Sequence, residues 1–264
     1  MGSVFSGIGG IDLGLERTGG FETHWFIEKD AHCQKVLTRH WPDVPIFGDI
    51  HEVEADDLPP VDMIAGGYPC QPFSVAGSRG GTDDPRHVWP EMRRLVRLLR
   101  PRYVLIENVP GHLSMGFGDV LSDLAALGFN AEWGVVSAAD VGATHLRKRL
   151  FGVADSSSQR LSIRQGQPGD NAVQRTTAQR GGGDGNQGGW DAQPRLGLHP
   201  HGVAGRVGEA RWPAPPGDEQ HDWEPPRTCE GYPGRVAELK ALGNAVVPQV
   251  AVWIGHLILD RATL

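Results

Sequence analysis

Residues 3–18 read SVFSGIGGIDLGLERT. A short apolar run, a glycine cluster and an amphipathic stretch follow one another, and that order decides the kind of fold. A strand over 3–5 passes into a helix over 11–18. In the turn between them, Gly7 and Gly9 let the backbone approach a ligand, and the helix start offers unpaired N–H groups. A glycine turn alone is often only a tight turn, so the rest of the chain has to carry the reading. Strands are predicted over 23–27, 44–47, 62–65, 103–106, 131–136 and 150–154, and helices over 31–40, 88–99 and 117–127. In the helix over 88–99, Met92, Leu95, Val96 and Leu99 recur at helical spacing, with arginines on the other face. Such alternation implies an α/β fold, with a mostly parallel sheet covered on both faces and ligands at the carboxyl ends of its strands.

The chain has 264 residues, room for one sizeable domain and a small extra one. Its composition, 39% hydrophobic and 22% charged, is that of a soluble globular protein. Cys33, Cys70 and Cys229 show no CxxC or His/Cys spacing, which argues for a reducing compartment and against a disulfide framework or a zinc site. The start MGSVFSG does not read as a leader. The run AVVPQVAVWIGHLILD is interrupted by Pro248, Gln249 and His256 and reads as too short to span a bilayer. An intracellular, soluble protein is expected.

Net charge is −7, unusual for a nucleic-acid binder, but its distribution matters more than its sum. Positions 49–62 hold six acids and no Lys or Arg, whereas 79–102 hold seven arginines against three acids, and HLRKRLF at 145–151 adds three more basic residues. These two basic segments either face a polyanion or are solvated helix faces. After Ser156 the composition changes. Between 166 and 234 there are 15 Gly and 9 Pro in 69 residues, a level at which disorder is the default. Trp190, Trp212 and Trp223 are available to anchor a small core there. Two helices are expected to follow, flanking a GNAVVP turn, with Val236, Leu239 and Leu242 in the first and Val250, Trp253, Ile254 and Leu257 in the second.

Acids stand where the strands end. Glu28 closes the second strand about 20 residues after the glycine turn, where a carboxylate accepts from ribose hydroxyls, and Asp49 closes the third. Together they suggest a nucleoside ligand. Glu107 closes the strand YVLI, at the sheet edge where GGYPCQPFS (66–74) presents Cys70 between two prolines. A neighbouring carboxylate raises a thiol pKa, so Glu107 makes more sense as a group serving a ring that the sulfur attacks. A buried, inert cysteine is the bland alternative.

FSGIGG, GGYPCQPFS, ENVPG, the HLRKR run and GNAVVPQ occur here in the order seen in DNA (cytosine-5) methyltransferases. The chain resembles that family, most closely its phage or prophage members, over roughly 1–155 and 227–264. The resemblance implies a Rossmann-like S-adenosylmethionine-dependent fold with a small, irregular target-recognition region. The catalytic domain would comprise 1–155 and 236–264, and the variable region, partly disordered, 156–235. It implies methyl transfer from S-adenosyl-L-methionine to C5 of a cytosine flipped from duplex DNA, through a bond from Cys70 to C6. Glu107 would contact N3 and the exocyclic amine, and Arg147 and Arg149 would position the base. Phe5, Gly7, Gly9, Glu28, Asp49, Pro69 and Asn244 would hold the cofactor. Gln71, Ser74, Arg79 and Arg86 would touch DNA, joined by Arg93, Arg94 and Arg97 if their side chains face the cleft. A cytoplasmic monomer in a bacterial or phage-infected cell, without metal or membrane and acting in restriction-modification, is the expectation. Two alternatives stay open: a tRNA cytosine-5 methyltransferase of the same fold, and a degenerate binding protein that no longer turns over.

Overall fold

The computed structural model describes residues 1–69, 88–156, 212–215, 217–226 and 231–262. Seven strands form one sheet: β1 (Gly2–Val4), β2 (Trp25–Ile27), β3 (Ile46–Phe47), β4 (Met63–Gly66), β5 (Tyr103–Asn108), β6 (Asn130–Val136) and β7 (Arg149–Asp155). Their order is β3-β2-β1-β4-β5-β7-β6. Strands β1 to β5 pair in parallel, and β7 is antiparallel to both of its neighbours. Among the described residues, the six α-helices are α1 (Gly10–Glu16), α2 (Ala31–His40), α3 (Trp89–Leu99), α4 (Phe117–Ala126), α5 (Arg235–Asn244) and α6 (Pro248–Ala262). From β1 the chain winds outward one way to β3, then crosses to β4 and β5 on the other side. The crevice where that direction reverses, beyond the carboxyl ends of β1 and β4, is where α/β sheets of this kind bind ligands.

Side chains alternate across the sheet with the period of two that a strand imposes. Ile64, Val104 and Ile106 point to one face, where α3 contributes Met92, Leu95 and Val96 and α4 contributes Phe117, Val120 and Leu124. Met63, Ala65, Tyr103 and Leu105 point to the other, against Ile11 and Leu15 of α1 and Val250, Trp253, Ile254 and Ile258 of α6. Each fully buried side chain of this size stabilises the fold by about 1.5–3 kcal/mol.

Helix α1 lies against α6 almost without side chains between them. A Cβ on Gly14 would sit 2.5 Å from the Cβ of Ala251 and inside contact distance of the Pro248 carbonyl. Gly10 likewise faces the carbonyl of Val246, at 2.5 Å from a Cβ placed there. The stretch Arg235–Ala262 is long and apolar enough by composition to cross a membrane. It is, however, two helices separated at 245–247, and Val250, Ala251, Val252, Trp253 and Ile254 are buried within the protein. Core packing accounts for the apolar character of α6, whereas Val236, Leu239 and Leu242 of α5, expected to form an apolar set, are exposed.

Two of the α3 arginines are engaged with protein groups. Arg94 donates to the carbonyls of Ile50 (3.0 Å) and Val53 (2.8 Å) and pairs with Glu91, while Arg93 pairs with Asp123 of α4 at 3.3 Å. These two cations tie the helix to its neighbours. Trp212, one of the three tryptophans available to anchor a small core in the variable region, packs against the cluster under α6. Its indole nitrogen would be 3.1 Å from a Cβ on Gly142, and its ring meets His145 edge-on.

Candidate active site

The carboxyl ends of β4 and β5 come together through their register. Gly66 pairs with Ile106, so Gly67 stands beside Glu107, and a Cβ there would be 2.5 Å from Glu107 Oε2. A side chain at this position would have to displace the carboxylate. Strand alternation turns Glu107 toward the face of α1 and α6, where it is 8% exposed. Because β7 is antiparallel, its first residue lies at this same edge, and Arg149 Nε reaches Glu107 Oε1 at 3.0 Å. Burial still dominates: the Glu107 carboxyl is pushed up to about 7, with Arg149 and Arg147 pulling it back only in part. A carboxyl group that exchanges its proton near neutrality, at the end of a strand and facing a cleft, is suited to donating to a ring nitrogen.

Arg147 takes a different path. Its backbone adopts a left-handed φ of 33°, and its guanidinium donates to the carbonyls of Gly243, at 2.8 Å, and Ala245. Burial lowers its pKa. It thus fastens the turn between α5 and α6 to the segment that carries Arg149. A small hollow beside the pair is lined by Val136, Phe151, Val246, Val247 and Val250. Asn244, the last residue of α5 before that fastened turn, is exposed.

At the other end of the crevice, Phe5 and Gly7 follow β1 with left-handed φ of 52° and 55°, and the space in front of Gly7 is open. Gly9 caps α1, and a Cβ there would strike the Trp41 ring at 2.6 Å. Glu28 accepts from the backbone N–H of Gly7 and of Asp30, each at 2.7 Å. Asp49 pairs with Lys29 at 2.9 Å, a bond that lowers its pKa. Phe5, Gly7, Glu28 and Asp49 therefore line adjacent strand ends of β1, β2 and β3, as their spacing suggests. Pro69 is exposed at the far side of the crevice. Cys70, Gln71, Ser74, Arg79 and Arg86 lie outside the described residues. Among the described residues, no group of three or more His, Cys, Asp or Glu side chains is gathered to hold a metal.

A family model described as C-5 cytosine-specific DNA methylase matches residues 1–180. The chain belongs to that family. Type II methyltransferase M.NgoMIV of Neisseria gonorrhoeae is 36% identical over 156 residues, covering 57% of this chain and 50% of that protein. Type II methyltransferase M.AquIA of a Picosynechococcus strain is 34% identical over 171 residues, 56% of this chain and 68% of that one. A solved structure of an E. coli prophage-encoded protein, described as a DNA modification methyltransferase, is 28% identical with a TM-score of 0.51, over 58% of this chain and 45% of its own. A DNMT2 mutant of Spodoptera frugiperda, 21% identical with a TM-score of 0.51, covers 60% of this chain and 50% of its own and shares the fold. This methylase-family chain spans about half the length of the first relatives it matches.

Three features of the methylase site escape the sequence. Nothing in ENVPG indicates that Asn108 reaches back to the carbonyl of Tyr68, at 3.1 Å. Nothing in HLRKR tells which arginine takes the carboxylate and which takes the α5–α6 turn. His112, buried at 2% exposure, stands outside every motif read above.

Proposed function

We propose that the chain is a DNA cytosine-5 methyltransferase that takes methyl from S-adenosyl-L-methionine and places it on C5 of a cytosine flipped out of duplex DNA. The observation that carries this reading is Glu107: a buried carboxyl pushed up to about 7, at the β5 end, against Gly67, which precedes Cys70 by three residues in the sequence. The residues at the ends of β1, β2 and β3 fit the cofactor. Gly7 leaves open space where a side chain would stand, and Glu28 is held in place by two backbone N–H groups at the rim, ready for a ribose. Bound there, S-adenosylmethionine supplies an electrophilic methyl on its sulfonium sulfur.

The chain's own groups prepare the base. The Cys70 thiolate forms a bond to C6, and Glu107, protonated, donates to N3, so that the ring electrons move toward C5. After C5 has taken the methyl, removal of its proton lets the C5–C6 double bond re-form and the C6–S bond break, returning Cys70. Arg149 holds Glu107 through Oε1, and Arg147 holds the turn that follows Asn244. The variable region 156–235 would read the target, with phosphate contacts from Arg79 and Arg86. The reading places the enzyme in the cytoplasm beside its DNA, as a monomer of the Type II modification kind.

The deciding experiment incubates the protein with labelled S-adenosylmethionine and either duplex DNA or tRNA. Label should enter DNA at C5 of cytosine, and Cys70→Ser should abolish transfer while leaving cofactor affinity within a few-fold. Label entering only tRNA would favour the RNA-modifying alternative, and equal turnover by Cys70→Ser would remove that residue as nucleophile.

A further inference from the structure

We propose that Tyr68, Asn108 and His112 form a positioning lock that fixes the end of β4 beside Glu107 from the face of the sheet opposite that carboxyl. The proposal rests on the reading of Cys70 as nucleophile. Tyr68 is held at two points. Its main-chain carbonyl accepts from Asn108 Nδ2 at 3.1 Å, and its phenol oxygen is 2.7 Å from His112 Nε2. His112 Nδ1 lies 2.8 Å from the carbonyl of Met115. A carbonyl only accepts, so Nδ1 carries the proton, and Nε2 accepts from the Tyr68 hydroxyl. Asn108 in turn uses its Oδ1 to accept from the N–H of Val109 at 2.9 Å. All three residues are buried, and Trp89 and Phe117 close the sides, with ring centroids 5.4 Å from Tyr68 and 5.6 Å from His112.

Alternation along β5 sends Glu107 to one face and Asn108 to the other. The lock therefore works behind the reacting side and touches neither of the arginines. What it fixes is the main chain at 67–69. There Gly67 abuts the Glu107 carboxylate, and Cys70 follows Tyr68 by two residues, so their Cα atoms are within about 7 Å of each other. Strand ends fray readily, whereas addition of a thiolate to a ring tolerates little misplacement, with ~1 Å costing about 100-fold. A purely structural need at this spot would be met by apolar side chains. A buried Tyr–His–carbonyl chain adds direction, because each bond is satisfied in one arrangement only.

The test uses the full chain and a duplex containing its methylation site, mapped after expression in an unmethylated host, with 5-fluorocytosine at the target position. The fluorine blocks release of the sulfur and traps the Cys70 adduct. Tyr68→Phe should slow single-turnover adduct formation at least 10-fold, while S-adenosylhomocysteine affinity by calorimetry stays within about three-fold and the variant still unfolds cooperatively. His112→Gln, whose amide oxygen can accept from the phenol, should form adduct faster than His112→Leu even where their thermal midpoints are equal. Adduct formation at the parent rate by Tyr68→Phe, or rates of the two His112 variants that simply follow their stabilities, would overturn the lock. A parent protein that forms no adduct would overturn the reading of Cys70, and the lock with it.

Discussion

Two buried carboxyl groups share one electrostatic fate and differ in use. Glu107 and Asp12 are both pushed up to about 7 by burial. Asp12 on α1 is fully buried, and neither of its oxygens makes a hydrogen bond of good geometry, although nearby Ser3 offsets part of the penalty. The folded pKa exceeds the unfolded one in each case, so the folded state binds the extra proton between the ordinary carboxylate value and about 7. Stability therefore falls as pH rises through that window, and above it each ionised group costs on the order of 3 kcal/mol. Glu107→Gln and Asp12→Asn should each be more stable than the parent at pH 8 in urea unfolding, with the gain disappearing below about pH 4. Only Glu107→Gln should lose methyl transfer. A raised pKa is thus a functional sign when the group stands at a strand end, and a packing penalty when it stands under a helix. The sequence made Glu107 legible, through its place after YVLI and next to ENVPG. It gave no hint of Asp12, whose burial depends on how α1 rolls onto β1.

The elements were largely legible, because hydrophobic period and glycine punctuation are local properties. Helix α2 occupies 31–40 as its spacing predicts, and the first-drawn helix starts one residue earlier, at Gly10, because Gly9 supplies the left-handed cap. What periodicity cannot carry is direction: nothing in the run over 150–154 says that β7 enters between β5 and β6 and runs against both. Nor does it carry the destination of long side chains. The arginine face of α3 reads either as facing a polyanion or as a solvated helix face, and Arg94 is spent on two carbonyls of the loop after β3. Arg94→Ala should therefore cost about 1–3 kcal/mol of stability by leaving those carbonyls unpaired, and should leave the salt dependence of DNA binding unchanged. The α1–α6 contact makes a second prediction at this scale. Gly14→Ala should lower stability by about 1–3 kcal/mol, measured by thermal unfolding, because the Pro248 backbone has nowhere to move.

At the level of the molecule, the described part is a frame with its crevice at the switch point of the sheet, and on the proposed reading the acidic balance of the whole chain would leave DNA binding to local basic segments. The glycine- and proline-rich composition after Ser156 marks a change of character in the sequence. It could not show that Trp212 and Ala214 return to the frame, since an indole finds its pocket by shape. Sequence preference should accordingly reside in the variable region outside that anchor. Replacing 190–211 and 217–235 with unrelated polar sequence, while keeping 212–215, should change or abolish the methylated site and leave S-adenosylmethionine binding intact. Bisulfite mapping in an unmethylated host reads the outcome, and an unchanged set of sites would place recognition elsewhere.

The antiparallel course of β7 also sets a limit on how far this protein can be shortened. Asp155 pairs with Tyr103, at the edge of the sheet away from the crevice, whereas Trp212 is anchored beside Gly142, just past the end of β6 at the crevice edge. The two anchor points are separated by the height of the sheet, about 20 Å for six residues of strand. A tether of six or seven extended residues only just spans that distance, and about ten would do so without tension. The 157–211 stretch thus has a floor on its length and no evident ceiling: the frame should fold with most of it excised, and should accept foreign sequence spliced between the same two anchors.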